Sequence, residues 1–249
     1  MNHCAGLLIA ALLFSPFVSL AGPVSEGDIR EINSKFELAY ELYAQKRNTE
    51  SSKAVINAYN LAAKKLATDY RLSDYAYYVA ALHQNMGKYD IAEKYHNINL
   101  EIKKKFLRFP DGQLVIAYNN VASVLILKRK YQEALKMLAN IDLETNKSHQ
   151  EELSIVYVNL ARAHFGLNEL EKAEDYLTIS MPLTKKYNGK RSVNYADANF
   201  LRAQIELTKG NRHAAIKYAD ESIQILRERD FTNNPLYESI ERFMAQNKP

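Results

Sequence analysis

The amino-acid sequence predicts an all-α fold, a right-handed superhelical solenoid of antiparallel helix pairs, with about five pairs and a C-terminal capping helix. Three observations lead there. Ala92, Ala134, Ala173 and Ala215 recur 42, 39 and 42 residues apart. Each closes the same local frame, as in Gly87-Lys88-Tyr89-Asp90-Ile91-Ala92 and Arg129-Lys130-Tyr131-Gln132-Glu133-Ala134. A second series of small residues, Ala80, Ala122, Ala161 and Ala203, lies just upstream of each frame. Registered small residues let paired helices approach closely, and Val79, Val121, Leu160, Tyr95, Leu138 and Leu177 are placed to fill the flanking grooves.

In chain order, residues 1–21 contain no Lys, Arg, Asp or Glu, carry an apolar stretch from Cys4 to Leu13, and end in Ser19-Leu20-Ala21. They read as a secretory signal cut between Ala21 and Gly22; the n-region lacks a basic residue, and a signal anchor is the competing reading. Cys4 is the sole cysteine, so the mature chain 22–249 is expected to hold no disulfide and no thiolate metal site.

Ser25 or Asp28 caps a first helix reaching about Gln45, followed by a polar loop, Lys46–Ser52, and a second helix through Leu66. Ala39 and Ala54 are the candidate small pair of this degenerate repeat (about 28–68), whose turn reads as too long for the later frame. The best-formed repeats span 73–229. Ser73 reads as an N-cap for a helix to Met86, Gly87 as its stop, and Tyr89–Phe106 as the returning helix. Pro110 and Gly112 interrupt the periodicity. Further helices fall at Gln113–Lys128 and Tyr131–Leu143, Glu151–Gly166 and Glu169–Tyr187, and Val193–Lys209 and Arg212–Glu228. Asn234-Pro235 opens the cap, about 235–247, whose apolar face is Leu236, Ile240, Phe243 and Met244.

The small residue late in the first helix, the Gly-x-Tyr-x-x-Ala-like turn and the second-helix alanine resemble the tetratricopeptide repeat. The spacing exceeds the ordinary ~34 residues and is similar to the long repeat of kinesin light chains. Tyr118-Asn119-Asn120-Val121-Ala122 matches that type's Leu-Asn-Asn-Leu-Ala stretch, and Tyr157-Val158-Asn159-Leu160-Ala161 matches it in part. The resemblance implies that first helices line a concave groove holding a protein partner, with groove asparagines bonding a peptide backbone.

On that register the groove candidates are Asp74, Tyr77, Ala81 and Gln84, then Asn119, Asn120 and Ser123, then Asn159, Arg162 and Phe165, then Asp197, Phe200 and Gln204. Asparagine is unfavourable inside helices, and a carboxamide offers both donor and acceptor to an extended peptide. Bonding to a neighbouring helix is the alternative use. Arg162 is essentially the sole cation of the set, which disfavours a carboxylate clamp and favours a neutral or apolar segment anchored at Tyr77, Phe165 and Phe200.

Catalytic signatures are missing: no nucleophile elbow, phosphate-binding loop, dinucleotide glycine triad or zinc-protease motif occurs. His83, His96 and His164 sit at helix-packing positions, where a hydrogen-bonded core histidine is the expectation. The formal charge of +4 is small and dispersed, Lys103-Lys104-Lys105 reading as a solvated helix end, so nucleic-acid binding is not expected. The expectation is a non-enzymatic adaptor or scaffold of the bacterial cell envelope, periplasmic or secreted. It has no cofactor and no transmembrane segment in the mature chain, and its partner is a protein or extended peptide. A structural or self-assembling envelope subunit is the alternative.

Overall fold

The computed structural model describes residues 24–247. The proposed signal therefore lies outside the described residues. Among them are eleven α-helices and no strand. Two compact units divide the chain, one reaching Leu107 and the other starting at Arg108.

The first unit holds α1 (Glu26–Ala44), α2 (Asn48–Lys65), α3 (Leu72–Asn85) and α4 (Tyr89–Phe106). The second holds α5 (Gly112–Leu127), α6 (Tyr131–Leu138), α7 (Gln150–Gly166), α8 (Leu170–Tyr187), α9 (Val193–Thr208), α10 (Arg212–Glu228) and α11 (Pro235–Asn247). Consecutive helices pack as pairs: α1 with α2, α3 with α4, α5 with α6, α7 with α8 and α9 with α10.

One turn geometry builds all five pairs. Lys46, Gly87, Arg129, Asn168 and Gly210 have φ of 60°, 70°, 60°, 62° and 86°. At each, the left-handed residue donates its N–H three residues back and its successor donates five residues back, as in Gly87 to Gln84 and Lys88 to His83. This is the Schellman arrangement, which satisfies the last carbonyls of the first helix and reverses the chain. The small residues on either side of these turns are fully buried: Ala80, Ala92, Ala122, Ala134, Ala161, Ala173, Ala203 and Ala215 are all 0% exposed.

The first pair obeys the same frame, contrary to the long loop expected from the sequence. Its turn is Gln45–Arg47, and α2 begins at Asn48. The small partner of Ala39 is Ser51, which is fully buried and donates its hydroxyl to the Ala39 carbonyl at 2.6 Å. Ala54 is only half-buried. Lysine in a left-handed position and serine in an alanine position hide this repeat, because neither residue type announces its role.

Other boundaries also moved. Ser73 does not cap α3; Asp69 Oδ1 instead accepts from the Arg71 backbone N–H at 2.8 Å, and Ser73 is buried inside the helix. Ser25 rather than Asp28 caps α1, accepting from the Asp28 N–H. α6 stops at Leu138, not Leu143. There Asn140 bonds back to the carbonyls of Lys136 and Met137, and Asp142 accepts from the N–H groups of Glu144 and Thr145. Such side chains offer the backbone a non-helical alternative. Pro182 is accommodated within α8 at an exposed position.

Not every glycine marks a turn. Gly166 ends α7 where a Cβ would stand 2.3 Å from the Tyr131 ring, so α6 and α7 meet through its missing side chain. In the first unit, Phe36 stacks on Tyr75 at 5.0 Å and Tyr59 meets Tyr95 edge-on at 5.0 Å. At the C-terminus, Asn234 Oδ1 caps α11 by accepting from Leu236 N and Tyr237 N, and Tyr237, Ile240 and Met244 are buried.

Candidate functional site

In the second unit, α7 packs against both α5 and α9, so first helices of successive pairs lie side by side. A polar ladder crosses the three. Asn159 Nδ2 donates to Asn119 Oδ1 at 2.9 Å. Arg162 Nη1 donates to Asn159 Oδ1 at 3.2 Å, and Nη2 pairs with Asp197 Oδ1 at 2.7 Å. The helical periodicity dictates the middle of this arrangement: Asn159 and Arg162 are three residues apart and share a face of α7. The Asn119–Asn159 contact is staggered, since Asn119 lies ten residues before its turn residue Arg129 and Asn159 nine before Asn168.

Burial grades along the ladder. Asn119 and Asn159 are buried, while the Arg162 and Asp197 side chains are 26% and 32% exposed. The carboxamides therefore pair with each other, the second of the two uses anticipated for them. Among the described residues, Asn119 Nδ2 makes no hydrogen bond, and it remains the donor left over at that end. Asn120, Ser123, Phe165 and Gln204 are half-exposed on the same three helices.

Phe200 is placed differently. It is 6% exposed and meets Phe243 of α11 edge-on at 5.5 Å, so it belongs to the core beneath the cap. Capping helices bury what a further repeat would otherwise cover.

In the first unit, Tyr77 shows 38% of its surface, beside half-buried Asp74, Ala81 and Gln84. Its hydroxyl is nonetheless desolvated, which raises the phenol above its ordinary pKa. Tyr77 packs on Tyr78 and His96 at ring distances of 5.9 and 6.0 Å. Gln84 Oε1 lies 3.3 Å from His96 Nε2, while His96 Nδ1 is buried without a partner. Burial holds the His96 imidazole down at about 4. His83 is tied at both nitrogens, to the Val79 carbonyl and the Ser52 hydroxyl, each at 2.8 Å, and burial lowers its pKa too. His164 bonds Glu169 at 2.5 Å and stacks on Tyr176 at 5.4 Å. Among the described residues no cluster of His, Cys, Asp and Glu is arranged to hold a metal ion, and no helix is long and apolar enough to cross a membrane.

The sequence reading missed the Asp197 contact with Arg162, although both residues were candidates, because it spans 35 positions and two repeats. Tyr78 and Tyr40 were missed as well; Tyr40 donates to the Tyr78 carbonyl at 3.3 Å.

Residues 152–228 match the tetratricopeptide repeat family. That segment covers α8, α9, α10 and nearly all of α7. Solved structures repeat the architecture. The TPR-like repeats of a Podosopora anserina kinesin light chain align at TM-score 0.60 and 17% identity, over 82% of this chain and 98% of that one. A Rap protein complexed with competence and sporulation factor aligns at TM-score 0.64 and 14% identity, over 88% of this chain and 64% of that one. The apo form of RapI aligns at TM-score 0.60 and 18% identity, over 87% and 84%. At these identities the likeness is one of fold. No curated protein sequence matches the chain.

Proposed function

We propose that this protein is a non-catalytic interaction adaptor or scaffold that holds an extended segment of a partner protein along the α5–α7–α9 face, and that it works in the bacterial cell envelope. The observation that carries the first part is the ladder. Three adjacent first helices present Asn120, Ser123, Arg162, Phe165, Asp197 and Gln204 half-exposed, a strip of donors, acceptors and one aromatic anchor. A backbone laid across such a strip finds partners for its N–H and C=O groups. The Rap structure with its bound factor is a precedent for the fold receiving a partner. Envelope location rests on the uncharged residues 1–21, with their apolar stretch from Cys4 to Leu13 and their small-residue end at Ser19-Leu20-Ala21.

The experiment is affinity capture from cell envelopes with chain 22–249, beside the double variant Phe165→Ala, Gln204→Ala at two half-exposed strip residues, with bound proteins identified by mass spectrometry. A partner retained by the native chain and lost by the double variant, at unchanged helicity, supports the strip as the binding face. Equal retention by both moves the interface elsewhere. Intact mass of the native protein tests the location: an N-terminus at Gly22 supports export, and an uncut chain in the cytosol rules it out.

A further inference from the structure

We infer that Asp197 is a specificity-determining residue: by holding the Arg162 guanidinium it bars carboxylate-bearing segments from the α5–α7–α9 strip and selects an internal, uncharged stretch of the partner. This rests on the strip being the binding face and adds which chemistry it accepts.

A guanidinium is the side chain best suited to a carboxylate, through a planar fork of five donors. On this strip the fork is already in use, with Nη2 on Asp197 Oδ1 at 2.7 Å and Nη1 on Asn159 Oδ1 at 3.2 Å. Both side chains of the ion pair are mostly shielded, at 26% and 32% exposure, so salt screens it less than a surface pair. An incoming Asp, Glu or chain terminus would have to displace Asp197 or lie beside its like charge. No other arginine of these helices is placed to help. Arg202 of α9 sits over the Tyr218 ring of α10 at 4.7 Å, turned to the opposite partner. The remaining strip residues, Asn120, Ser123, Phe165 and Gln204, carry no charge. Asp197 Oδ2 makes no hydrogen bond among the described residues and stands as an acceptor for a partner N–H or hydroxyl.

The test is selection of random displayed peptides on chain 22–249 in four forms: native, Asp197→Asn, Asp197→Ser, and Asp197→Asn with Arg162→Ala. Circular dichroism confirms that each is folded. The native form should select peptides depleted in Asp and Glu. Either single variant removes the negative charge that neutralises Arg162, and its selected peptides should bind about fivefold tighter with one Asp than with Asn at the same position. Removing Arg162 as well should abolish that preference. Peptides selected by all four forms with unchanged acidic content would overturn the role of Asp197 and leave the binding face standing. Failure of every form to select any peptide would overturn the binding face itself, and this inference with it.

Discussion

Gly166 and His96 show how single positions set local geometry. With 2.3 Å between a Cβ at position 166 and the Tyr131 ring, Gly166→Ala forces the ring or the helix to move. Overpacking of this kind costs roughly 1–3 kcal/mol. Urea denaturation should show that loss, and adding Tyr131→Ala should make the alanine at 166 nearly neutral; strict additivity of the two changes would count against a direct contact. His96 acts through its charge. Its imidazole is buried with one nitrogen unpartnered, so the folded ring takes a proton only near pH 4, while the unfolded one does so near its ordinary 6.5. The unfolded chain therefore binds more protons in that window, and stability falls as pH drops through it. The full shift corresponds to on the order of 3 kcal/mol. His83 works in the same direction, and Asp74, raised by desolvation, in the opposite one. Denaturation midpoints at pH 7 and pH 5 should differ for the native chain and differ less for His96→Gln; an unchanged slope would assign the effect elsewhere.

At the scale of the element, the five turns are one solution written in different residues. Two glycines, an asparagine, a lysine and an arginine occupy the left-handed position. Glycine and asparagine reach that conformation at little cost, and the other side chains are strained by contact between Cβ and the following carbonyl oxygen. Arg129→Gly should therefore stabilise the α5–α6 turn by about 0.5–1 kcal/mol, and Gly87→Ala should destabilise its own by a similar amount. Thermal melts would show shifts of opposite sign; a loss of stability in both would mean that Arg129 makes contacts that outweigh its strain. Glycine or asparagine marks a stop in the sequence, so three of the turns were legible from residue type. The arginine turn was found through its repeat spacing. The lysine turn carries neither signal, and the sequence there predicts a loop. The early end of α6 was hidden for a related reason: Asn140 and Asp142 sit among residues of good helical periodicity, and only their bonds to the backbone reveal that they terminate it.

For the whole chain, repeats that contact mainly their neighbours make the ends matter most. α11 covers Phe200, Ile223 and Leu226 with Tyr237, Ile240 and Met244. Each fully buried side chain of this size contributes roughly 1.5–3 kcal/mol. Deleting residues 235–249 should lower the denaturation midpoint and create binding sites for a hydrophobic dye; an unaltered midpoint would show the cap to be dispensable. The tetratricopeptide pattern, the helix pairing and the register of the alanines followed from the sequence alone. Periodicity and small residues are local properties, and helix pairing by Schellman turns is decided within about twenty residues on either side. The candidate site was legible only as a set of positions. Residues in different repeats share no local signal, so tertiary structure alone decided three things. It turned Asn119 and Asn159 toward each other, put Phe200 under the cap, and joined Arg162 to Asp197, because those contacts depend on the stagger and spacing of packed helices.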